Sequence, residues 1–213
     1  MKKLLILGMM VLFLSSLIAV ESEPSDVVGF MKYDLNTGRN FIALPMNSGY
    51  ATSVDVAGDI SGSDQMSYFD EITQSWVTSG KNMFGNWVTP FNVDGGMAIM
   101  ARTTVASSFY SAGSMFDPEP NYSIVVGRNS IMVPFSKATL TTSSTLADDI
   151  GGIDQMSYFD STTQAWVTSG KNMFGNWVTP FDVNVGMAVM ARSISTTSWP
   201  TVRNSKISKF NKK

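Results

Sequence analysis

"DQMSYFDEITQSWVTSGKNMFGNWVTPFNVDGGMAIMAR" occupies Asp64–Arg102, and "DQMSYFDSTTQAWVTSGKNMFGNWVTPFDVNVGMAVMAR" follows at Asp154–Arg192. Of these 39 positions seven differ (71, 72, 75, 92, 94, 95 and 99), leaving 32 identical. A long self-match at a constant offset marks a repeat architecture, which decides the fold before any single motif does. Upstream the match loosens but persists: "GRNFIALP" (Gly38–Pro45) faces "GRNSIMVP" (Gly127–Pro134), and "TSVDVAGDI" (Thr52–Ile60) faces "TSSTLADDI" (Thr142–Ile150). The first pair is offset by 89 and the second by 90, so one residue enters between them. The units therefore run over 26–113 and 114–203, with the boundary in the turn-rich "SAGSMFDPEPN" (Ser111–Asn121).

Within a unit the signals favour strands. "MSYFD" and "SWVTS" flank "EITQ", with Asp70 opening the turn, as in a hairpin. "NFIALPM" is β-branched and aromatic and is stopped by a proline, which suits an edge strand. "GMAIMAR" sets Met97, Ile99 and Ala101 against Ala98, Met100 and Arg102, the period of a half-buried strand. Between the early strands, Thr52 or Ser53 can cap a short helix with Val56 and Ile60 on one face. Ser143, Leu146, Ile150 and Gly151 repeat that scheme. The expected fold is mainly β: two tandem small antiparallel domains, sandwich- or barrel-like, each with one short helix after its early strand.

Composition narrows function by exclusion. The 213 residues include no cysteine and no histidine, with 15 basic against 17 acidic side chains. No disulfide framework supports either unit, so each relies on its apolar core or on its neighbour. The inventory excludes serine–histidine–aspartate and cysteine–histidine catalysis and zinc held by His or Cys. No basic patch suggests nucleic acid. "MKKLLILGMMVLFLSSLIAV" has the positive start and apolar run of a secretory signal, expected over 1–22, with Ala19 and Ser22 both small enough to end it. The expected address is secreted or cell-envelope, with membrane attachment only through an uncleaved signal. The basic end "RNSKISKFNKK" reads as a solvated tail over 204–213.

The succession "VGFMKYDL…GRNFIALP…DQMSYFDEITQSW…FNVDGGMAIM" resembles a repeat module of exported, largely uncharacterised proteins from anaerobic and other environmental bacteria. In that module G-x-N-x-I-x-L-P opens the unit, an aromatic strand with a following tryptophan forms its middle, and a further strand closes it. Met97 and Met187 stand where the closing strand commonly carries aromatics. The resemblance implies a β-repeat and brings no catalytic residues.

Three constellations could carry chemistry. Asp64 with Asp70, and Asp154 with Asp160, are paired carboxylates, but six residues of strand separate each pair by about 20 Å, too far for glycosidase chemistry. Asp55, Asp59 and Asp64, with Asp148, Asp149 and Asp154, could supply some calcium oxygens, yet no D-x-D-x-D-G loop occurs. No metal and no cofactor is expected. The aromatic set Tyr68, Phe69, Trp76, Phe84, Trp87 and Phe91, repeated 90 residues later, serves either packing or a glycan-binding face. Trp76 reads as core. The candidate ligand-binding residues are Phe84, Trp87, Asn86 and Lys81, with Phe174, Trp177, Asn176 and Lys171; the methionines beyond the signal read as pliable core filler. The expected function is a non-catalytic tandem β-repeat with a structural or adhesive role at the cell surface, and the alternative is a carbohydrate-binding module with two equivalent aromatic sites. Expected partners are a cell-surface glycan or another envelope protein.

Overall fold

The computed structural model describes residues 28–200; the stretches read as signal and basic tail lie outside the described residues. Unit 1 runs β1 (Val28–Leu35), β2 (Gly38–Ala43), α1 (Ser53–Gly58), β3 (Ser63–Asp70), β4 (Ser75–Lys81), β5 (Trp87–Val88), β6 (Ala98–Thr103) and β7 (Ser107–Ser114). Unit 2 runs β8 (Tyr122–Ile124), β9 (Gly127–Met132), α2 (Ser143–Ile150), β10 (Ile153–Asp160), β11 (Ala165–Lys171), β12 (Trp177–Val178), β13 (Ala188–Ser193) and β14 (Thr197–Trp199). A 3-10 turn at Phe135–Lys137 lies where the extra residue of unit 2 enters. The fold is mainly β, built as two similar antiparallel domains.

Each unit holds one five-stranded sheet, ordered β2-β6-β3-β4-β5 and β9-β13-β10-β11-β12, beside a two-stranded ribbon, β1-β7 or β8-β14. Register repeats with the sequence: Met66 faces Ser79 and Ala101, and Met156 faces Ser169 and Ala191. β2 and β9 are edge strands, and each ends shortly before a proline, Pro45 or Pro134. The helices cover the outer face of each sheet. In unit 1 Val56 and Ile60 pack with Ile42, Met66, Ile99 and Phe109; in unit 2 Leu146 and Ile150 pack with Ile131, Met156, Val189 and Trp199.

The inner faces of the two sheets meet each other. β2 lies against β10 and β13, and β9 lies against β3 and β6. Ala43, Ala98, Met132 and Ala188 form a small buried cluster there, flanked by Phe41 and Tyr122. Three of the four are alanines, which let the sheets approach closely. This second cover corrects the expectation of a half-buried closing strand: Ala98, Ile99, Met100 and Ala101 are all buried, because helix lies on one side and the other unit on the other.

The contact between units is reciprocal. Gln74 Oε1 accepts from the Arg128 amide at 2.8 Å while its Nε2 donates to the Arg128 carbonyl at 2.9 Å. Gln164 treats Arg39 in the same way, at 2.7 and 3.0 Å. Tyr33 donates its phenol proton to the Gly186 carbonyl, and Tyr122 donates to the Gly96 carbonyl, each at 2.9 Å. The Tyr33 ring stacks on Phe109 and the Tyr122 ring on Trp199, and burial pushes both phenol pKa values up. Residue i meeting j while the copy of j meets the copy of i is the signature of a two-fold interface, here within one chain. Gln74 and Gln164 both sit at φ 54°, a left-handed conformation that disfavours a long side chain. Their cross-unit bonds offset that strain.

Candidate functional site: paired clefts and duplicated tips

Where the sheets splay apart from their alanine contact, two clefts open. The first, of about 210 Å³, takes Gln65, Ser67, Thr78 and Met100 from the unit 1 sheet, Arg39 at its rim, and Trp76, Trp166 and Phe159 as aromatic walls. The second, of about 190 Å³, is built from Gln155, Ser157, Thr168, Met190 and Arg128, with the same two tryptophans and Phe69. Every residue of one cleft has its repeat counterpart in the other, so the pair follows the pseudo-two-fold.

Period-two alternation explains why these side chains share a face. Gln65, Ser67 and Phe69 point inward on β3, whereas Met66 and Tyr68 point to the helix side, Tyr68 resting on Phe91 at 4.8 Å. The inner-face hydroxyls pair across the strands, Ser67 with Thr78 at 2.8 Å and Ser157 with Thr168 at 2.9 Å. Trp76 stands edge-on to Phe69 and Phe41, and Trp166 edge-on to Phe159 and Phe41. Trp76 and Trp166 remain 39% and 40% exposed, which corrects the reading of Trp76 as core. The ring lies on the sheet face that the second unit covers only in part.

The residues singled out in the sequence lie elsewhere, at the β4–β5 and β11–β12 tips. Asn82 Oδ1 accepts from the amides of Phe84 and Asn86, both at 3.0 Å, and Gly85 takes φ +80° to close the turn. Asn172 holds Phe174 and Asn176 identically. Met83 and Phe84 project outward at 89% and 79% exposure, and Met173 and Phe174 at 90% and 79%. Met83 and Met173, with Met115 at 42% exposure, are exceptions to the core-filler reading; Met66, Met132 and Met156 do fill cores. Lys81 lies 5.4 Å above the Trp87 ring and Lys171 5.2 Å above Trp177. Both indoles are half-buried against their unit cores, and Trp177 Nε1 also approaches Asp148 Oδ1 at 3.5 Å. Of the four, Trp87 leans back on the unit core beneath Lys81, whereas Lys81, Phe84 and Asn86 are exposed, Asn86 joining the turn through its backbone.

The aspartates are occupied in structural work. Asp64 and Asp154 fork onto Arg102 and Arg192, with Nε–Oδ1 distances of 2.7 Å. Asp70 and Asp160 cap their turns; the hydroxyls of Thr73 and Thr163, followed by the amides of Ile72 and Thr162, hold these carboxyls below the usual range. Asp55 caps α1, and Asp59 accepts from the Tyr50 hydroxyl at 2.6 Å. Among the described residues no three acidic groups gather around a common point.

A wider hollow of about 320 Å³ runs along β8 and β9 beside Glu71 and Ile72. Its one aromatic, Tyr122, already donates its hydroxyl to Gly96, so it offers a ligand less than the clefts do. The clefts escaped the sequence reading because their walls come from both units. The one signal for them was that Gln74 and Trp76 recur as Gln164 and Trp166 although positions 71, 72 and 75 between and before them change. No protein family, curated protein or solved structure matches the chain.

Proposed function

We propose that the protein is an exported, non-catalytic tandem β-repeat that serves adhesion at the cell surface. The observation that carries this reading is the duplicated tip: Met83 with Phe84, and Met173 with Phe174, are exposed on turns braced by Asn82 and Asn172. Leaving a Phe or Met side chain in water forgoes about 1.5–3 kcal/mol of burial, and here the same sacrifice is made twice. A contiguous exposed apolar patch marks contact with a partner, and Met83 beside Phe84, like Met173 beside Phe174, makes a small one. Two tips on one body also give the bivalence that raises retention without new contacts.

The test is the quadruple variant Met83→Ser, Phe84→Ser, Met173→Ser, Phe174→Ser, assayed for retention on isolated envelopes of the producing cells. Retention is expected to be lost, with stability unchanged to within about 0.5 kcal/mol because these four side chains are exposed. Altering one tip alone should reduce retention roughly tenfold or more through lost avidity. Unaltered retention of the quadruple variant would rule out the tips.

Carbohydrate binding is the second reading, favoured by the paired clefts. In that reading the aromatic platform is Trp76 with Trp166, in place of Phe84 with Trp87.

A further inference from the structure

Each cleft offers one ligand three kinds of group. The half-exposed indoles of Trp76 and Trp166 supply apolar surface. The hydroxyl pairs Ser67–Thr78 and Ser157–Thr168 supply polarity; one hydroxyl of each pair donates to the other, which leaves a proton and lone pairs for a ligand. Gln65 Nε2 donates to Ser67 Oγ at 3.3 Å, and its carbonyl oxygen stays available. The third group is a cation. Of the four arginines among the described residues, Arg102 and Arg192 are forked onto aspartates. The guanidiniums of Arg39 and Arg128, one at each cleft, have no hydrogen-bond or ion-pair partner among the described residues. The backbone of each is nevertheless clamped by a glutamine from the opposite unit, so the cation is held at the rim from its root.

We propose that the paired clefts bind an acidic saccharide, one carboxylate-bearing pyranose ring in each. The ring's apolar C–H face lies on an indole, its hydroxyls meet the Ser–Thr pair and the glutamine, and its carboxylate takes the two-pronged guanidinium of Arg39 or Arg128. Volumes of about 190 and 210 Å³ lie below the ~300–1,000 Å³ of drug-sized sites and suit a single six-membered ring. This inference rests on the carbohydrate reading and is independent of the tips.

The probe is D-galacturonic acid, and D-galactose, with a hydroxymethyl group in place of the carboxylate, is the control. Titration of the full chain at low salt should show two equivalents of galacturonate per chain and roughly tenfold weaker binding of galactose. Arg39→Gln and Arg128→Gln, whose backbone clamps are untouched, should each weaken one of the two equivalents roughly tenfold, to the level of galactose, and the double variant should lose the preference for the acid. No galacturonate binding at millimolar concentration, equal binding of the two sugars, or an unchanged double variant would each overturn the proposal. Binding lost in the quadruple tip variant but kept in the double arginine variant would move the saccharide to the tips. That result keeps the carbohydrate reading and sinks the clefts, whereas failure of both sugars sinks the carbohydrate reading as well.

Discussion

The two halves share their strand order, register and cleft walls, yet they differ at the place where they touch. Phe41 on β2 packs edge-on against both Trp76 and Trp166. Its counterpart Ser130 on β9 is small, and Glu71 fills in from across the interface, its Oε1 accepting from the Ser130 amide at 3.0 Å and hydroxyl at 2.9 Å. The counterpart of Glu71 is Ser161, which accepts from Asn36 Nδ2 at 2.9 Å. One side of the pseudo-two-fold therefore pairs a large residue on the edge strand with a small one in the turn, and the other side reverses the order. The glutamine clamps, by contrast, are the same on both sides. Common elements hold the units together, and exchanged volumes make each unit fit the other and not its own twin.

The largest effect should come from disturbing that exchange. Ser130→Phe places a ring against the Glu71 carboxylate and removes the hydroxyl it binds, with an expected loss of about 2–3 kcal/mol in denaturant unfolding. Adding Glu71→Ser rebuilds the arrangement found at Phe41 and Ser161 and should restore at least half of the loss; a double-mutant cycle with no coupling would break the comparison. Smaller and symmetric effects are expected at the clamps. Gln74→Ala and Gln164→Ala should each cost about 1 kcal/mol, and a clear inequality between them would mean that the interface is not two-fold in energy.

The smallest effect separates the helix starts. Asp55 accepts from the Thr52 amide at 2.7 Å and the Ala51 amide at 3.1 Å; the Thr52 amide first, then the Thr52 hydroxyl and the Ala51 amide, lower its pKa. Unit 2 places Thr145 at this position, with the Thr142 amide donating to its hydroxyl at 3.2 Å. A carboxyl depressed in the folded state contributes stability above the ordinary carboxylate range and loses it as pH falls through the folded value. The Thr52 amide signal should therefore titrate in acid by NMR while that of Thr142 stays put at this bond. Equal titration of both would assign the change to something other than Asp55.

Much of the architecture could be read from the sequence because its causes are local. The hairpin around "EITQ", the proline-stopped edge strand and the capped helices each depend on residues within a few positions of one another. The double burial of β6 could not be read, because it depends on what covers each face. Trp76 illustrates the same limit. Its place in the strand was predictable, but its half-exposure depends on how far the other unit reaches over the sheet. Phe84 was legible as exposed from its glycine-flanked turn, whereas Trp87, three residues on, leans back on the core under Lys81.

The exchange of Phe41 and Ser161 for Ser130 and Glu71 also bears on how a duplicated gene can change. Recombination between two near-identical stretches tends to overwrite one with the other. Copying the first unit over the second would bring Phe41-type bulk against Glu71-type bulk on both sides, and copying the second over the first would leave serine facing serine twice. Either product loses a fitted interface, so the contact surface itself limits how alike the halves can become, while the tips outside it are free to stay identical.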